Sequence, residues 1–246
     1  MLPPMPAFAA LLAFLAALGG GADEPSDFVA EERDEQLAFS YSWPAAVEAE
    51  PTLRARLARE MAAERVEARR TAKEDRVARG GDFPFNPHDF EKTWRIAGGT
   101  ERLLSLAAST HTYTGGAHGN LAFDALLWDQ EEDRPVEPAA LLGAEAIAAL
   151  TPRYCAALDA ERAERRGEPV QRDSDDPFSA CPLLAEQVLA FRDSDGNGRF
   201  DMLEALIPPY AAGPWVEGPY PLEVPFAAAD LGGIPAEYRM SFESGR

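Results

Sequence analysis

The sequence predicts an α+β protein in which antiparallel β-sheets pack against two long helices, arranged as two related or fused small domains. Helical periodicity extends over residues 51–79 and 138–167, and three strand-like runs lie between them. With 246 residues, 46% of them hydrophobic, the chain is long enough for one sizeable core or two small ones. We expect an N-terminal α+β domain over residues 37–100 and a C-terminal one over residues 101–246.

Residues 1–22 have the features of a secretory signal. A short apolar run, Phe8 to Leu18, precedes Gly19-Gly20-Gly21-Ala22 and two acidic residues. The run is shorter than the ~20 residues that a membrane-spanning helix needs. We therefore expect cleavage after Ala22, a periplasmic or secreted protein, and no stable membrane span after processing; an uncleaved anchor is the alternative. The acidic residues 23–36 predict a flexible leader.

The charge of the chain restricts its partners. The formal net charge is −19 at pH 7. A polyanion would be repelled by such a protein, which argues against nucleic acid as a partner. A basic partner or a divalent cation is compatible with it.

The first predicted elements are a strand and a long helix. Residues 37–43 alternate and are rich in aromatic side chains, which predicts a strand that Pro44 ends. Pro51 is suited to the first helical position, and the helix continues to Gly80-Gly81 with an apolar stripe of Leu53, Leu57 and Met61. Its arginines and glutamates indicate a solvated face with i,i+4 pairs; a basic binding surface is the alternative.

The middle of the chain predicts an antiparallel meander. After an irregular, aromatic-rich segment over residues 82–92, strand-like runs extend from Lys92 to Ala97, from Leu103 to Thr114 and from Leu121 to Asp129. Gly-Gly pairs lie between consecutive runs and favour tight turns.

A second helix is predicted from Pro138 to Gly167, with a restart at Thr151-Pro152 because Thr is a good N-cap and Pro suits the next position. This helix carries Cys155, one of two cysteines. In an oxidising compartment we expect a disulfide between Cys155 and Cys181; buried thiols are the alternative. Residues 183–191 fit either a helix or a strand.

Residues 193–204 have the spacing of a calcium loop. Oxygen side chains occupy the first, third, fifth, ninth and twelfth positions, and Gly198 occupies the sixth. A hard cation such as calcium prefers six to eight oxygens at about 2.3–2.6 Å. The expected ligands of this EF-hand-like loop are side chains and one main-chain carbonyl, that of Arg199: Asp193, Asp195, Asn197, Arg199, Asp201 and Glu204.

The alternative for this loop is an ordinary polar turn that leads into a strand. Pro208 and Pro209 leave only three residues after Glu204 for an exiting helix, which argues against a full EF-hand. Residues 200–207 instead have the pattern of a strand buried on both faces. An extended chain carries Glu204 about 10 Å from Asp201, which weakens its case as a ligand.

The glycine-rich turn over residues 110–120 is the second candidate site. Its glycines allow positive φ angles and close approach to a partner, so the turn is able to hold a ligand. The alternative is a purely structural hairpin turn with locally bonded side chains. The candidate ligand-binding residues are Tyr113, Gly115, Gly116, His118 and Asn120.

This turn also carries a family resemblance. The Tyr-x-Gly-Gly-Ala-His turn, Phe123-Asp124, Leu141-Leu142 and the segment Pro209 to Gly213 resemble the paired domains of unknown function in RsiV-type anti-sigma factors. The same pair resembles the non-catalytic region of PdaC-type peptidoglycan deacetylases. The resemblance covers residues 36–243. It implies a PdaC-like N-terminal domain, an RsiV-like C-terminal domain, and a binding role at the cell wall, with lysozyme as the partner in the RsiV case.

We therefore expect an exported, non-enzymatic binding module that recognises a cell-wall component or a basic lysozyme-like protein. The alternatives are a structural calcium-binding protein and a cell-envelope hydrolase. The hydrolase has the weaker case, because the only imidazoles are those of His88, His111 and His118 and none lies in a known catalytic motif.

Overall fold

The computed structural model describes residues 27–80, 84–172 and 175–245, so the predicted signal over residues 1–22 lies outside the described residues. Two sheets and two long helices form four layers, in the order helix, six-stranded sheet, three-stranded sheet, helix. The predicted α+β class is confirmed. None of the helices in the described ranges is both long and apolar enough to cross a bilayer.

The first sheet has six strands, which neighbour one another in chain order. The strands are β1 (Phe28–Arg33), β2 (Leu37–Trp43), β3 (His88–Gly99), β4 (Leu103–Tyr113), β5 (Asn120–Asp129) and β6 (Arg134–Val136). Strands β3, β4 and β5 form the predicted antiparallel meander. The predicted antiparallel pairing does not extend to β2 and β3, which are parallel, so the first sheet is mixed. Helix α1 (Pro51–Arg79) connects them and returns the chain to the same end of the sheet.

The second sheet has three antiparallel strands, β7 (Val188–Arg192), β8 (Met202–Ile207) and β9 (Tyr220–Pro225). Strand β8 confirms the strand predicted after the acidic loop. Its two faces are buried differently: Leu203, Ala205 and Ile207 pack towards α2 (Pro138–Arg166), whereas Leu206 contacts the first sheet. Residues 183–191, which fitted a helix or a strand, form a single 3-10 turn followed by β7.

Helix α1 covers one face of the first sheet. Leu53 and Leu57 are fully buried against aromatic side chains of the strands, among them Tyr41, Trp94 and Trp128. The helix begins at Pro51, as predicted, and Gly80 ends it with a left-handed backbone (φ 66°). The second sheet packs on the opposite face through small side chains, Ala97 and Ala107 against Ala190.

Three expectations need correction. Strand β1 lies within the stretch predicted as a flexible leader, because its edge position suits a short and highly charged strand. A domain boundary at residue 100 would fall in the β3–β4 turn and separate two neighbouring strands of one sheet. Helix α2 continues through Pro152, and its break lies at Gly143, whose φ of 78° is not helical.

A disulfide joins Cys155 on α2 to Cys181, with the two Cα atoms 5.7 Å apart. It fixes the segment before β7 to the middle of α2. The predicted pair is therefore present.

Candidate functional site

The glycine-rich turn connects β4 to β5 at one end of the first sheet. Gly115 has a φ of +80°, which side-chain-bearing residues rarely adopt, so the turn needs glycine there. Gly116 is different: a Cβ atom at this position would meet no atom within 4 Å. A Cβ at Gly119 would lie 3.0 Å from the Thr112 carbonyl oxygen. The turn is therefore tight at Gly115 and Gly119 and open at Gly116.

His118 packs into a small aromatic cluster at this turn. Its ring stacks on Trp215 with centroids 4.2 Å apart. Its Nδ1 lies 2.8 Å from the Gly119 carbonyl oxygen, and its Nε2 lies 3.3 Å from the Tyr210 hydroxyl. Nδ1 therefore donates to the carbonyl, because a carbonyl oxygen only accepts. The indole of Trp215 donates to the same Gly119 carbonyl at 3.1 Å.

Two of these aromatic residues were not identified from the sequence. Tyr210 and Trp215 come from the segment between β8 and β9, and the side chains remain 56% and 39% exposed. Tyr210 has a positive φ of 70°, an uncommon conformation for a residue with a side chain. Val216 is 84% exposed beside them. A strained backbone that leaves aromatic and aliphatic side chains in solvent is typical of a binding surface.

A groove of about 440 Å³ lies between this segment and the sheet. Tyr113 and Asn120 line it from β4 and β5, with His111 and Asp89, and Trp215 forms the opposite wall. The structure thus brings Tyr113 and Asn120 to the groove, and His118 lies behind Trp215. Gly115 and Gly116 do not line this groove.

The open face of the sheet beside the groove is acidic. A second groove of about 480 Å³ crosses the first strands, and Asp89 lines both grooves. In the cross-strand row Glu31 faces Ser40, which faces Glu91 and then His111. The carboxylates of this face are Glu31, Asp89 and Glu91, and Arg33 is the one cation among the lining residues of the second groove. We call this area, together with the Trp215 wall, the acidic–aromatic surface.

The acidic loop over residues 193–204 winds around the Asp193 carboxylate. This carboxylate accepts hydrogen bonds from the backbone N–H groups of Gly196 and Gly198 at 2.8 Å and of Asn197 at 3.1 Å. Gly196 and Gly198 both have positive φ angles, which allows the tight winding. The Asn197 amide donates to Glu243 at 2.7 Å, and the Arg199 guanidinium lies 3.7 Å from the same carboxylate.

The later predicted calcium ligands have partners of their own. Asp201 is buried and accepts the backbone N–H of Ser194 at 2.8 Å, so it closes the loop. Glu204 lies on β8 and forms an ion pair with Arg95 of the first sheet. Asp195 is exposed and accepts only the Asn197 N–H at 3.3 Å among the hydrogen bonds of the described chain. Within the ranges that the structure describes, no group of three or more His, Cys, Asp or Glu residues is arranged to hold a metal ion.

Comparison with known proteins gives the same resemblance as the glycine-rich turn. Residues 30–121 match the family model described as "Deacetylase PdaC". No curated protein matches the chain. The matched range begins within β1 and ends in β5, so it covers most of the first sheet together with α1.

Two crystal structures of DUF3298 family proteins match the chain. The protein from Bacteroides fragilis has 14% sequence identity and a TM-score of 0.56, over 88% of this chain and 95% of that one. The protein from Pseudomonas aeruginosa has 15% identity and a TM-score of 0.49, over 90% of this chain and 96% of that one. The expected resemblance is confirmed: residues 30–121 match a PdaC-type domain, and the chain shares the fold of the Bacteroides DUF3298 protein.

Proposed function

We propose that this protein is an exported, non-enzymatic binding module that recognises a basic, lysozyme-like protein through the acidic–aromatic surface. The observation that carries the proposal is the position of exposed Trp215 and Val216 beside the row that contains Glu31 and Glu91. Aromatic anchors at the centre of an interface supply most of its binding energy, and complementary charge steers the encounter. The net charge of −19 favours a basic partner further.

A second candidate is a glycan of the cell wall. The exposed indole of Trp215 favours it, because a flat aromatic face with polar groups nearby suits a sugar ring. Asp89, His111 and Asn120 line the same groove and offer hydrogen bonds. The two candidates differ in the role of charge, since a neutral glycan does not need the acidic row.

The experiment measures binding of the purified protein to a basic lysozyme and to isolated peptidoglycan. We expect Asp89→Asn combined with Glu91→Gln to weaken lysozyme binding at least about tenfold and to reduce its salt dependence. Trp215→Ala should weaken it as well, and His118→Ala should do so to a smaller extent because it removes the ring on which Trp215 stacks. Glu74→Gln on the exposed face of α1 is the matched control. Peptidoglycan binding that needs Trp215 but not the carboxylates would favour the glycan instead.

The non-enzymatic part of the proposal is supported by the placement of the three histidines. His88 is buried and contacts Asp75 at 3.2 Å, His111 lines the groove, and His118 stacks on Trp215. His118 uses both ring nitrogens in the aromatic cluster. Hydrolysis of peptidoglycan or deacetylation of its sugars by the purified protein would contradict this part.

Export is supported by the disulfide, since disulfides persist in oxidising compartments. The test is the N-terminus of the protein recovered from periplasm or medium, which we expect at Asp23. Recovery of a chain that retains residues 1–22 would favour an uncleaved anchor.

We also propose that the loop over residues 193–204 binds calcium and that calcium stabilises the fold. The support is the winding of the loop around Asp193, which places Asp193, Asp195 and Asn197 in one exposed turn. Asp201 and the Arg199 carbonyl are the remaining expected ligands. Glu204 is the weakest, because Arg95 already neutralises its carboxylate.

A further inference from the structure

A further cavity lies between α1 and the first sheet, and it shares Asp89 and Tyr113 with the grooves of the acidic–aromatic surface. Its volume is about 450 Å³, which is within the range of small-molecule sites. Its walls are largely apolar, with Leu37 and Phe90 from the sheet and Ala63 and Ala68 from the helix. Tyr113 lies at the end of β4 and is part of the wall.

The cavity exists because the C-terminal half of α1 carries small side chains on its inner side. Leu53 and Leu57 fill the space under the first turns of the helix, whereas Ala63, Ala68 and Thr71 occupy the corresponding positions further along. These smaller side chains leave a gap under the second half of the helix. A core that is only excluding water would be filled by larger side chains there.

One end of the cavity carries an excess of negative charge. The Lys92 ammonium is buried, with only 3% of the side chain exposed, and lies 2.7 Å from Glu60, 3.1 Å from Glu64 and 2.7 Å from Asp124. Three carboxylates thus share one ammonium. Glu64 also lines the cavity, and its Oε2 is buried with no hydrogen-bond partner among the described residues.

An unpaired carboxylate oxygen in a buried position costs free energy, because it has lost water and gained nothing. Burial accordingly raises the pKa of Glu64 above its ordinary value, against the opposing effect of Lys92. A second cation beside Glu64 would supply the missing partner and balance the excess charge.

We propose that this cavity binds an organic cation with an apolar body, whose protonated amine donates to Glu64 and whose body packs against Leu37, Phe90 and Ala68. An anion of the same shape would meet the uncompensated carboxylates. A neutral molecule would fill the apolar part and lose the charge pairing. The site therefore discriminates by charge at one end and by shape at the other.

The experiment is calorimetric titration of the purified protein with three probes of similar shape that differ in the charge of the polar end: 4-phenylbutylamine, 4-phenylbutanol and 4-phenylbutyrate. We expect saturable binding of the amine with a Kd of about 1 mM or below, binding of the alcohol at least about tenfold weaker, and no binding of the carboxylate. Glu64→Gln should weaken the amine about tenfold, and Ala68→Leu should abolish binding by filling the cavity. Glu74→Gln, on the exposed side of the same helix, should bind like the wild type.

Three results would overturn the proposal. One is equal affinity for the amine and the alcohol, which would mean that Glu64 does not select charge. The second is amine binding that survives both Glu64→Gln and Ala68→Leu in proteins with normal melting curves. The third is the absence of saturable amine binding in the wild type.

Discussion

Gly98 lies directly against the backbone of Asp193. A Cβ atom at Gly98 would be 2.8 Å from the Asp193 nitrogen and 3.0 Å from the Phe191 carbonyl oxygen. Both neighbours are backbone atoms at the end of β7, which cannot rotate away as a side chain would. The end of β3 therefore packs closely against the start of the acidic loop.

Gly98→Ala should destabilise the protein by about 1–3 kcal/mol, since the added methyl group forces two backbone segments apart. Urea unfolding measures this difference. Gly116→Ala is the control, because no atom lies within 4 Å of the added Cβ and that glycine does not have a positive φ. Equal stability of the two variants would show that the loop moves freely.

Calcium should raise the melting temperature, and the response should depend on Asp193 but not on Glu204. A ligand that binds only the folded state at a hundredfold excess over its Kd adds about 2.7 kcal/mol. Asp193→Ala should abolish the shift, because the loop winds around this carboxylate. Glu204→Ala should retain it, because that side chain is paired with Arg95.

Thermal melts with and without millimolar calcium, with magnesium as the control ion, measure this response; extracellular calcium modules have a Kd of about 10⁻⁴–10⁻³ M. Loss of the shift in Glu204→Ala would require the loop to rearrange on binding. An unchanged melting temperature in wild-type protein would identify the loop as a plain turn.

Glu64→Gln should stabilise the protein relative to the wild type as pH rises. Burial raises the pKa of Glu64 above 4.5 in the folded state, so the stability associated with its protonated form is complete below 4.5 and is lost as pH rises through the raised value. Glutamine keeps the neutral form at every pH. The groups that face Glu64 are Lys92, Glu60 and Asp124.

Urea unfolding of both proteins at about pH 4 and about pH 8 tests this. The difference in unfolding free energy between Glu64→Gln and the wild type should increase at the higher pH, and Glu74→Gln should show no such trend. A difference that decreases would mean that the attraction between Glu64 and Lys92 outweighs the cost of burial.

Loss of the disulfide should lower stability without changing the fold. The two cysteines are 26 residues apart. On the chain-entropy model, closing such a loop lowers the entropy of the unfolded chain and so stabilises the folded state by about 3.5 kcal/mol. The double variant Cys155→Ala, Cys181→Ala should therefore unfold at lower urea with an unchanged circular dichroism spectrum. An unaltered midpoint would indicate that the unfolded chain is already compact there.

Local signals in the sequence identified much of the fold. The bounds of α1 follow from Pro51 and Gly80, and β2 matches its alternating pattern over Leu37–Trp43. Strand β1 was missed because its FVAEER sequence is charged and its order depends on pairing with β2. The parallel pairing of β2 and β3 could not be predicted either, since it depends on where α1 returns the chain.

The candidate surface was predicted only on its β4–β5 side. Tyr113 and Asn120 were identified because they flank a glycine-rich turn. Tyr210 and Trp215 were missed because the contact with the turn is non-local: His118 and Tyr210 are 92 positions apart. Tyr210 follows a Pro-Pro pair and Trp215 follows a Gly-Pro pair. Such pairs indicate a turn but do not show which segment the turn contacts.

The parallel β2–β3 pair has a consequence for the order in which the protein folds. Strands β3, β4 and β5 are joined by short turns, whereas β2 meets β3 only after the connection over residues 44–87 has closed. Closing a long connection delays the contacts that depend on it. We expect pulse-labelled hydrogen exchange during refolding to show protection of β4 and β5 amides before those of β2. Simultaneous protection would instead mean that α1 forms early and brings β2 and β3 together from the start.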